Sequence, residues 1–311
     1  MKIAYCISAY KDAGQLNRLI TALETSETIF FIHVDGKVKD ITPFRNVVNG
    51  HIGARLTRRR FFVQWGGWSQ VRYQELFLRE SVEAGADRIV ILTGQDYPLW
   101  GNLRLRDCFR HDSNRVLMTG MNLTQALPPI PPMRKLLEVW HFCRDLRVRN
   151  VMIYRILTAG LRRLMTIMPI RRQPYLNIDG ERWDVWQSSG YFSVNNKQAR
   201  YILERLEDKR IRDYFRFCFV PEELTIPTIV FNSPFAQCAE RYGNKPYGGL
   251  SLLAYMHKFD YCTTIKVYQK DDYDSLIQSD KMFCRKVISG ASDELVRLID
   301  EHRRQTDNRQ V

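Results

Sequence analysis

Residues 2–34 read KIAYCISAYKDAGQLNRLITALETSETIFFIHV, and this stretch decides the fold. Lys2 to Ser8 is a short apolar run of the kind that forms a buried strand. Leu16, Leu19, Ile20 and Leu23 then recur at helical spacing. Thr28 to Val34 is a second apolar run, ended by Asp35-Gly36. The alternation continues downstream. Arg60 to Val63 reads as a short third strand, Tyr73 to Val82 as a helix, and Arg88 to Thr93 as another strand stopped by Gly94-Gln95-Asp96-Tyr97-Pro98. Strand–helix alternation predicts an α/β fold with a parallel sheet and helices on both faces. Ligands on such sheets bind at the carboxyl ends of the strands. Ser8-Ala9-Tyr10, His33-Val34-Asp35 and Gly94-Gln95-Asp96 all fall there.

Composition narrows the class. With 311 residues, 45% hydrophobic and 26% charged, the chain has the make-up of a soluble globular protein of one large or two ordinary domains. Disorder, collagen-like sequence and repeat architectures are excluded. The longest apolar candidate for a membrane span, Val151 to Ile170, is interrupted by Arg155, Arg162 and Arg163. The N-terminal apolar run is met at once by Lys11 and Asp12, unlike a signal peptide. The expected location is therefore cytoplasmic, unless a targeting segment has been removed. The seven cysteines are scattered and no CxxC pair occurs, which argues against a disulfide framework and a zinc site. The net charge of +13 implies an acidic partner, with nucleic acid, anionic lipid and phosphorylated substrate all open. Between Arg134 and Arg172 there are ten Arg/Lys against two acids, Glu138 and Asp145.

The middle opens with Pro128-Pro129-Ile130-Pro131-Pro132 and continues as basic, partly amphipathic segments. A strand is expected from Asp184 to Val194 and a helix around Gln198 to Leu206. Pro221 sets up a helix start with Glu222 and Glu223 in the first turn, where carboxylates suit the dipole. Ile265 to Tyr268 and Met282 to Val287 read as short strands. Ala291 to His302 reads as a terminal helix capped by Ser292, with Arg303 to Val311 frayed.

Familiar motifs are absent: no GxGxxG after the first strand, no GxxxxGK[ST], no GxSxG and no HExxH. Dinucleotide enzymes, P-loop NTPases, common serine hydrolases and zincins are disfavoured. No recognition motif for DNA or RNA appears. Four local clusters stand out. Phe31 to Lys37 ends a strand, though Asp-Gly alone explains a turn. Trp65-Gly66-Gly67-Trp68-Ser69 fits either a close backbone approach to a ligand or a tight turn between core tryptophans. Leu92 to Leu99 places an acid at the ligand edge. Val220-Pro221-Glu222-Glu223-Leu224, taken alone, is a capped helix start.

Together the motifs IAYCISAY, FIHVDGK, VQWGGWS, LTGQDYPL, WQSSGYFSV, PEELTIPTIV and MFCRKV, in that order, resemble the core-2/I-branching glycosyltransferases, which include the peptide xylosyltransferases. The resemblance runs from about Lys2 to Lys286. The chain lacks the membrane anchor and paired cysteines of animal members and is similar to a bacterial cytoplasmic relative. The resemblance implies a GT-A fold over a single domain, residues 1–311. Residues 1–110 form the nucleotide-binding half and 111–311 the acceptor-binding and catalytic half, with the basic segment 134–172. It implies an inverting transfer from a UDP-sugar without a metal or other cofactor. N-acetylglucosamine is the expected sugar and xylose the next.

The roles follow from the chemistry such a transfer needs. A base must take the acceptor hydroxyl's proton, and a carboxylate suits. Glu223 matches the family's catalytic glutamate, and Glu222 takes the neighbouring Asp position. The departing diphosphate must be met by fixed cations. Lys286 matches the family's phosphate-binding lysine, and Arg285 is adjacent. The family's upstream arginine has no clear counterpart; Lys258 and His257 are the nearby cations. Ser8, Ala9, Tyr10 and Asp35 fall where the family holds uridine and ribose, with Trp65, Gly66 and Gly67 lining the same cleft. Asp96 is expected to contact the donor sugar or orient its loop. Tyr191 and Phe192 sit at aromatic positions of the family, Phe192 equally explained as core, and Trp186 is a candidate for the acceptor side. Only one Asp stands at Thr93 to Tyr97, where most GT-A enzymes carry Asp-x-Asp, and Asp272-Tyr273-Asp274 reads as a solvated turn. The expected partners are a UDP-sugar and a glycan acceptor, lipid-linked, with peripheral contact between the basic segment and an anionic membrane; nucleic acid is not expected. A metal-dependent transferase using Asp96, and more remotely a noncatalytic nucleic-acid-binding protein, are the alternatives.

Overall fold

The computed structural model describes residues 1–308 except 129, 143, 169, 244, 262 and 263. Pro129 of the proline cluster, Cys143, Cys262 and the last three residues therefore lie outside the described residues. The chain begins with β1 (Ile3–Ala9), α1 (Ala13–Leu23), β2 (Thr28–Val34), α2 (Thr42–Asn49), β3 (Ala54–Leu56), α3 (Ser69–Glu83) and β4 (Arg88–Thr93). There follow β5 (Asp96–Pro98), α4 (Asn102–His111), β6 (Thr119–Asn122), α5 (Pro132–Leu137) and α6 (Val151–Ile167). The second half adds β7 (Tyr175–Ile178), β8 (Glu181–Asp184), β9 (Trp186–Gln187), β10 (Ser193–Asn195), α7 (Asn196–Glu207), α8 (Lys209–Arg216) and α9 (Thr225–Phe231). It ends with β11 (Glu240–Arg241), β12 (His257–Lys258), α10 (Tyr273–Ile277), β13 (Phe283–Arg285) and α11 (Asp293–Asn308).

The central sheet has the order β10-β4-β1-β2-β3, parallel except for β10. Both faces of β1 are covered, which is why it reads as an unbroken apolar run. Ile3, Tyr5 and Ile7 face a cluster with Leu16, Leu19 and Ile20 of α1 and Phe44 of α2. Ala4 and Cys6 face another with Phe77 and Leu78 of α3 and Ile202 of α7. That second cluster continues to Trp186 and Ile229, so both halves of the sequence share one core. The fold is thus α/β, a mostly parallel sheet between helical layers, as the alternation and the GT-A expectation require. A three-stranded sheet β12-β13-β5 packs at its edge, with Arg285 paired to Asp96. The five described cysteines are free thiols. Among the described residues, no helix is long and apolar enough to cross a membrane.

Several expected elements move. Arg60 to Val63 is not a strand; the third strand is Ala54–Leu56, and 60–63 is extended chain held by side chains. The expected strand 184–194 breaks into β9 and β10, which join different sheets. Among the described residues, Ile265 to Tyr268 forms no strand: it has an isolated bridge at Ile265 to Tyr261 and two backbone bonds to Lys286, from Lys286 N to Lys266 O and from Tyr268 N to Lys286 O. Asp272-Tyr273-Asp274 opens α10 rather than a turn, and Asp272 accepts from the Gln269 amide. Ser292 does not cap the last helix; its hydroxyl donates to Tyr268 O and accepts from Ile288 N.

The C-terminus is the largest departure, because α11 continues to Asn308 instead of fraying at Arg303. Arg303 is buried and its guanidinium donates to the carbonyls of Trp100 (2.9 Å) and Ala22 (2.6 Å). These tie the last helix to β5 and α1. Arg303→Ala should lower stability by about 1–3 kcal/mol, because two part-buried carbonyls lose a charged donor. Thermal or urea unfolding checks it; a frayed tail would give no change.

Candidate active site

The acidic pair sits on a turn the backbone does not adopt freely. Val220 is left-handed, φ 44° and ψ 57°, and buried. A β-branched residue held there costs on the order of 1–3 kcal/mol. The reversal throws Pro221-Glu222-Glu223 into one 3-10 turn, closed by Glu223 N to Val220 O at 3.0 Å. Glu222 is 6% exposed and Glu223 half-buried. Gln187 Nε2 donates to Glu223 Oε2 at 3.1 Å, while Ser188 N donates to the Glu223 carbonyl at 2.9 Å.

Burial pushes the Glu223 carboxyl up to about 7, against the opposing Gln187 hydrogen bond. Burial, then the neighbouring Glu223, pushes Glu222 well above the carboxylate range, and one Glu222 oxygen has no hydrogen-bond partner. Two adjacent carboxyls in one dry site resist ionising together. Glu222 therefore keeps its proton while Glu223 titrates near neutrality, the range suited to a general base.

The sheet edge supplies a second wall. Burial, then Glu222, raises the Tyr73 phenol to about 12, while the side chains of Gln70 and Ser8 lie near enough to oppose the rise. This links Ser8 at the end of β1 to the acidic turn. His33 stacks on Tyr73 with ring centroids 5.2 Å apart, and its Nε2 accepts from Phe61 N at 2.9 Å. Burial lowers His33 to about 4, so it is a neutral positioning group. Asp35 accepts from the amides of Lys37 (2.9 Å) and Val63 (3.1 Å), leaving its other oxygen 3.5 Å from Lys37 Nζ. Ala9 is buried, whereas Tyr10 is 51% exposed with Lys11 Nζ 5.2 Å from its ring centre.

Asp96 is not open to a ligand. Its carboxylate is 0% exposed and accepts from Thr93 N (2.7 Å), Thr93 Oγ1 (2.7 Å), His257 Nε2 (3.1 Å) and Arg285 (3.1 Å). These partners hold it below the usual carboxylate range despite burial. Of the two roles expected of Asp96, contact with the donor sugar or orientation of its loop, these four bonds fit the second. Among the described residues, no group of three or more His, Cys, Asp or Glu is placed to hold a metal.

Arg285 and Lys286 face different surroundings, as strand neighbours do. Arg285 bonds Asp96 and the Thr93 hydroxyl and lies over the Tyr191 ring at 5.4 Å. The backbone of Lys286 bonds Lys266 O and Tyr268 N, but its ammonium has no hydrogen-bond or ion-pair partner among the described residues; partial burial, then Arg285 and Lys11, lowers that ammonium below the usual lysine range. Of the two cations weighed for the missing arginine, His257 is buried on Asp96 and Lys258 is paired with Asp260 at 2.8 Å. Lys11 lies close enough to lower the Lys286 ammonium.

The tryptophan–glycine loop contacts protein. Gly66 N donates to Gln70 Oε1 at 2.6 Å, and Gly66 O accepts from Val220 N at 3.3 Å. A Cβ on Gly67 would fall 2.6 Å from Asp145 Oδ1. That carboxylate accepts from the amides of Trp68 and Ser69, both at 2.9 Å, and so caps α3. Gly66 and Gly67 are buried. Trp65 is exposed and packs edge-on against Phe219. Trp186 stacks on Phe231 at 4.3 Å and borders a cavity of about 720 Å³ with Asn122, Asp184 and Arg241. Tyr191 lies against His257, ring centroids 4.4 Å apart, and Phe192 is core.

Sequence reasoning passed over Lys11, Gln70, Tyr73, Asp145 and Gln187. Only Lys11 carried a local signal, a cation directly after the first strand's ligand edge.

The acidic pair makes stability fall as pH rises. Raised carboxyls hold protons that the unfolded chain has already released, so the folded state binds more protons from about pH 4.5 upward. Glu222→Gln should therefore raise the melting temperature at pH 8 and change it little at pH 4. Scanning calorimetry at the two pH values checks this; an equal shift at both would refute it.

Residues 3–125 match the family model described as Core-2/I-Branching enzyme. The match includes Ser8, Asp35 and Asp96 and ends before Glu222, Glu223 and Lys286. No curated protein matches the chain. Among solved structures, the apo form of mouse xyloside xylosyltransferase 1 is 10% identical over 78% of this chain and 83% of that one, TM-score 0.32. A cytidylyltransferase from Leptospira borgpetersenii serovar Hardjo-bovis is 15% identical over 79% and 77%, TM-score 0.34. At such TM-scores these likenesses carry no argument, and the fold rests on the strand order above. Residues 3–125 are thus similar to the Core-2/I-branching enzymes, a likeness over less than half of the chain that supports a glycosyltransferase.

Proposed function

We propose that the protein is an inverting, metal-independent transferase moving a sugar from a UDP-sugar to a glycan hydroxyl, N-acetylglucosamine before xylose. The observation that carries this reading is the acidic pair itself, a buried Glu222 and a half-buried Glu223 on one tight turn with Gln187 donating to Glu223, where burial raises both carboxyls. Glu223 takes the proton from the acceptor hydroxyl as its oxygen bonds to the anomeric carbon. The bond from that carbon to the diphosphate oxygen breaks in the same step, through an oxocarbenium-like transition state. Lys286, with Lys11 beside it, meets the charge that builds on the leaving diphosphate. Arg285 supports this site from behind, since its guanidinium is engaged with Asp96 and Thr93. Tyr10 and Asp35 hold the nucleoside in the 1–110 half; residues 111–311 supply the acceptor side and the base, within one domain.

Calorimetric titration with UDP in EDTA tests the donor site. The parent and Glu223→Gln should bind UDP alike, with manganese adding nothing. Lys286→Ala should bind at least about tenfold more weakly, the loss of one charge-assisted contact. Turnover should fall by 10²–10⁴-fold in Glu223→Gln, the usual order for a lost general base. Near-normal turnover would remove Glu223 from its role.

The acceptor is proposed to be lipid-linked and the enzyme to sit peripherally at the inner face of the cell membrane. Helix α6 supports this. Tyr154, Thr158, Leu161 and Met165 are its covered positions, at helical spacing. Met152, Ile153, Ile156, Leu157, Leu164 and Ile167 point away, 42–76% exposed, with Arg155, Arg162 and Arg163 on the same helix. An apolar outer arc flanked by arginines is the pattern of an interfacial helix on anionic lipid. Ile156→Asp with Ile167→Asp should abolish partitioning onto vesicles containing phosphatidylglycerol. Equal, weak binding of the parent to anionic and neutral vesicles would sink the membrane role.

A further inference from the structure

A second basic surface lies outside the donor site. Two adjoining cavities, of about 440 and 590 Å³, open between the 58–62 segment, α3 and α8. Both are lined by Arg59, Phe61, Arg72 and Arg212; the larger adds Arg147 and Arg216. Among the described residues, none of these five arginines has a carboxylate partner. The acids of the larger cavity do little to balance them: Asp145 is committed to capping α3, which leaves Asp213. Other arginines of this surface are already satisfied. Arg58 pairs with Glu80 and Glu83, Arg79 with Glu75 and Glu207, and Arg60 donates to backbone carbonyls.

Five uncompensated guanidiniums around one concavity repel one another and favour an anion. Guanidinium forks match phosphate oxygens better than lysine does. The floor is aromatic, with Phe61, Phe62 and Trp68, and Arg72 lies 4.5 Å over Phe61. The position is informative too. Trp68 on its wall belongs to the loop whose Gly66 carbonyl accepts from Val220 N, three residues before Glu223, and Asp145 on the same wall accepts from the Trp68 and Ser69 amides of that loop. Arg147 lies four residues before α6, the helix with the outward apolar arc.

We propose that this groove binds the diphosphate of a lipid-linked acceptor. The claim rests on the transferase reading above and adds to it the chemical class of the acceptor's anchor. The lipid lies along α6, the diphosphate sits among Arg59, Arg72, Arg147, Arg212 and Arg216, and the glycan runs past the tryptophan–glycine loop toward Glu223.

The test titrates geranyl diphosphate into the parent, Lys286→Ala, and Arg72→Glu with Arg212→Glu. A second double variant, Arg72→Gln with Arg212→Gln, guards against a folding defect, and thermal melting is recorded for each. Binding should survive Lys286→Ala and weaken at least tenfold in both arginine variants, whose UDP binding stays at the parent level. Loss in Lys286→Ala with retention in the arginine variants would place the diphosphate at the donor site and overturn the proposal. Unchanged geranyl diphosphate binding, but lost partitioning onto phosphatidylglycerol vesicles, would make the groove a site for phospholipid headgroups instead. Loss of oligonucleotide binding alone would make it a nucleic-acid site. Failure of every variant and the parent to bind UDP would count against the transferase reading, and the geranyl diphosphate result would still decide the groove.

Discussion

One buried carboxylate joins the parts of this molecule that must meet. Asp96 leaves the central sheet just after β4 and binds Thr93 behind it, His257 of β12 and Arg285 of β13. An unpaired carboxylate at that depth would be strongly unfavourable; with cationic and hydrogen-bonding partners it is held ionised. The edge sheet is therefore fixed against the ligand end of the parallel sheet by charge as well as by packing. The division of labour on β13 follows. Arg285 is consumed in holding the two sheets together, and the ammonium of Lys286, the next residue, is left without a partner among the described residues.

The acidic turn is built by a comparable compromise. Val220 accepts a left-handed backbone, and its amide is held by Gly66. Glu222 accepts burial without a full set of hydrogen bonds. The result is a pair of carboxyls with separated affinities for protons, one kept neutral and one near neutrality. Local rules of stability are broken there, and functional sites are where such violations concentrate.

How much of this was legible in the sequence depends on range. Strands β1, β2 and β4 and helix α1 were readable because their periodicities are local and both sheet faces demand apolar residues. The position of the third strand was not. Arg60 to Val63 has a strand's composition, yet its extended form comes from His33 and Asp35 side chains roughly thirty residues away. Arg303 reads as tail, but its partners are the carbonyls of Ala22 and Trp100. The acid pair and Lys286 came from motif resemblance, and the structure adds their surroundings. Asp96 stood out for being an acid at a strand's end, and no local pattern says that its oxygens are already taken. Asp145, in a basic stretch, gave no hint that it caps a helix starting more than seventy residues earlier.

That cap has a thermodynamic corollary. The Asp145 carboxylate occupies the space above Gly67 and two amides at the start of α3, and Gln64 also holds the carbonyls of Leu146 and Val148. The segment leading into α6 and the loop bracing Val220 are thus one linked unit. By reciprocity, whatever favours the seated form of 145–148 also favours the ordered form of the acidic turn, and disorder in either loosens the other. The shape of the acidic turn and the placement of the segment before α6 then draw on a single equilibrium.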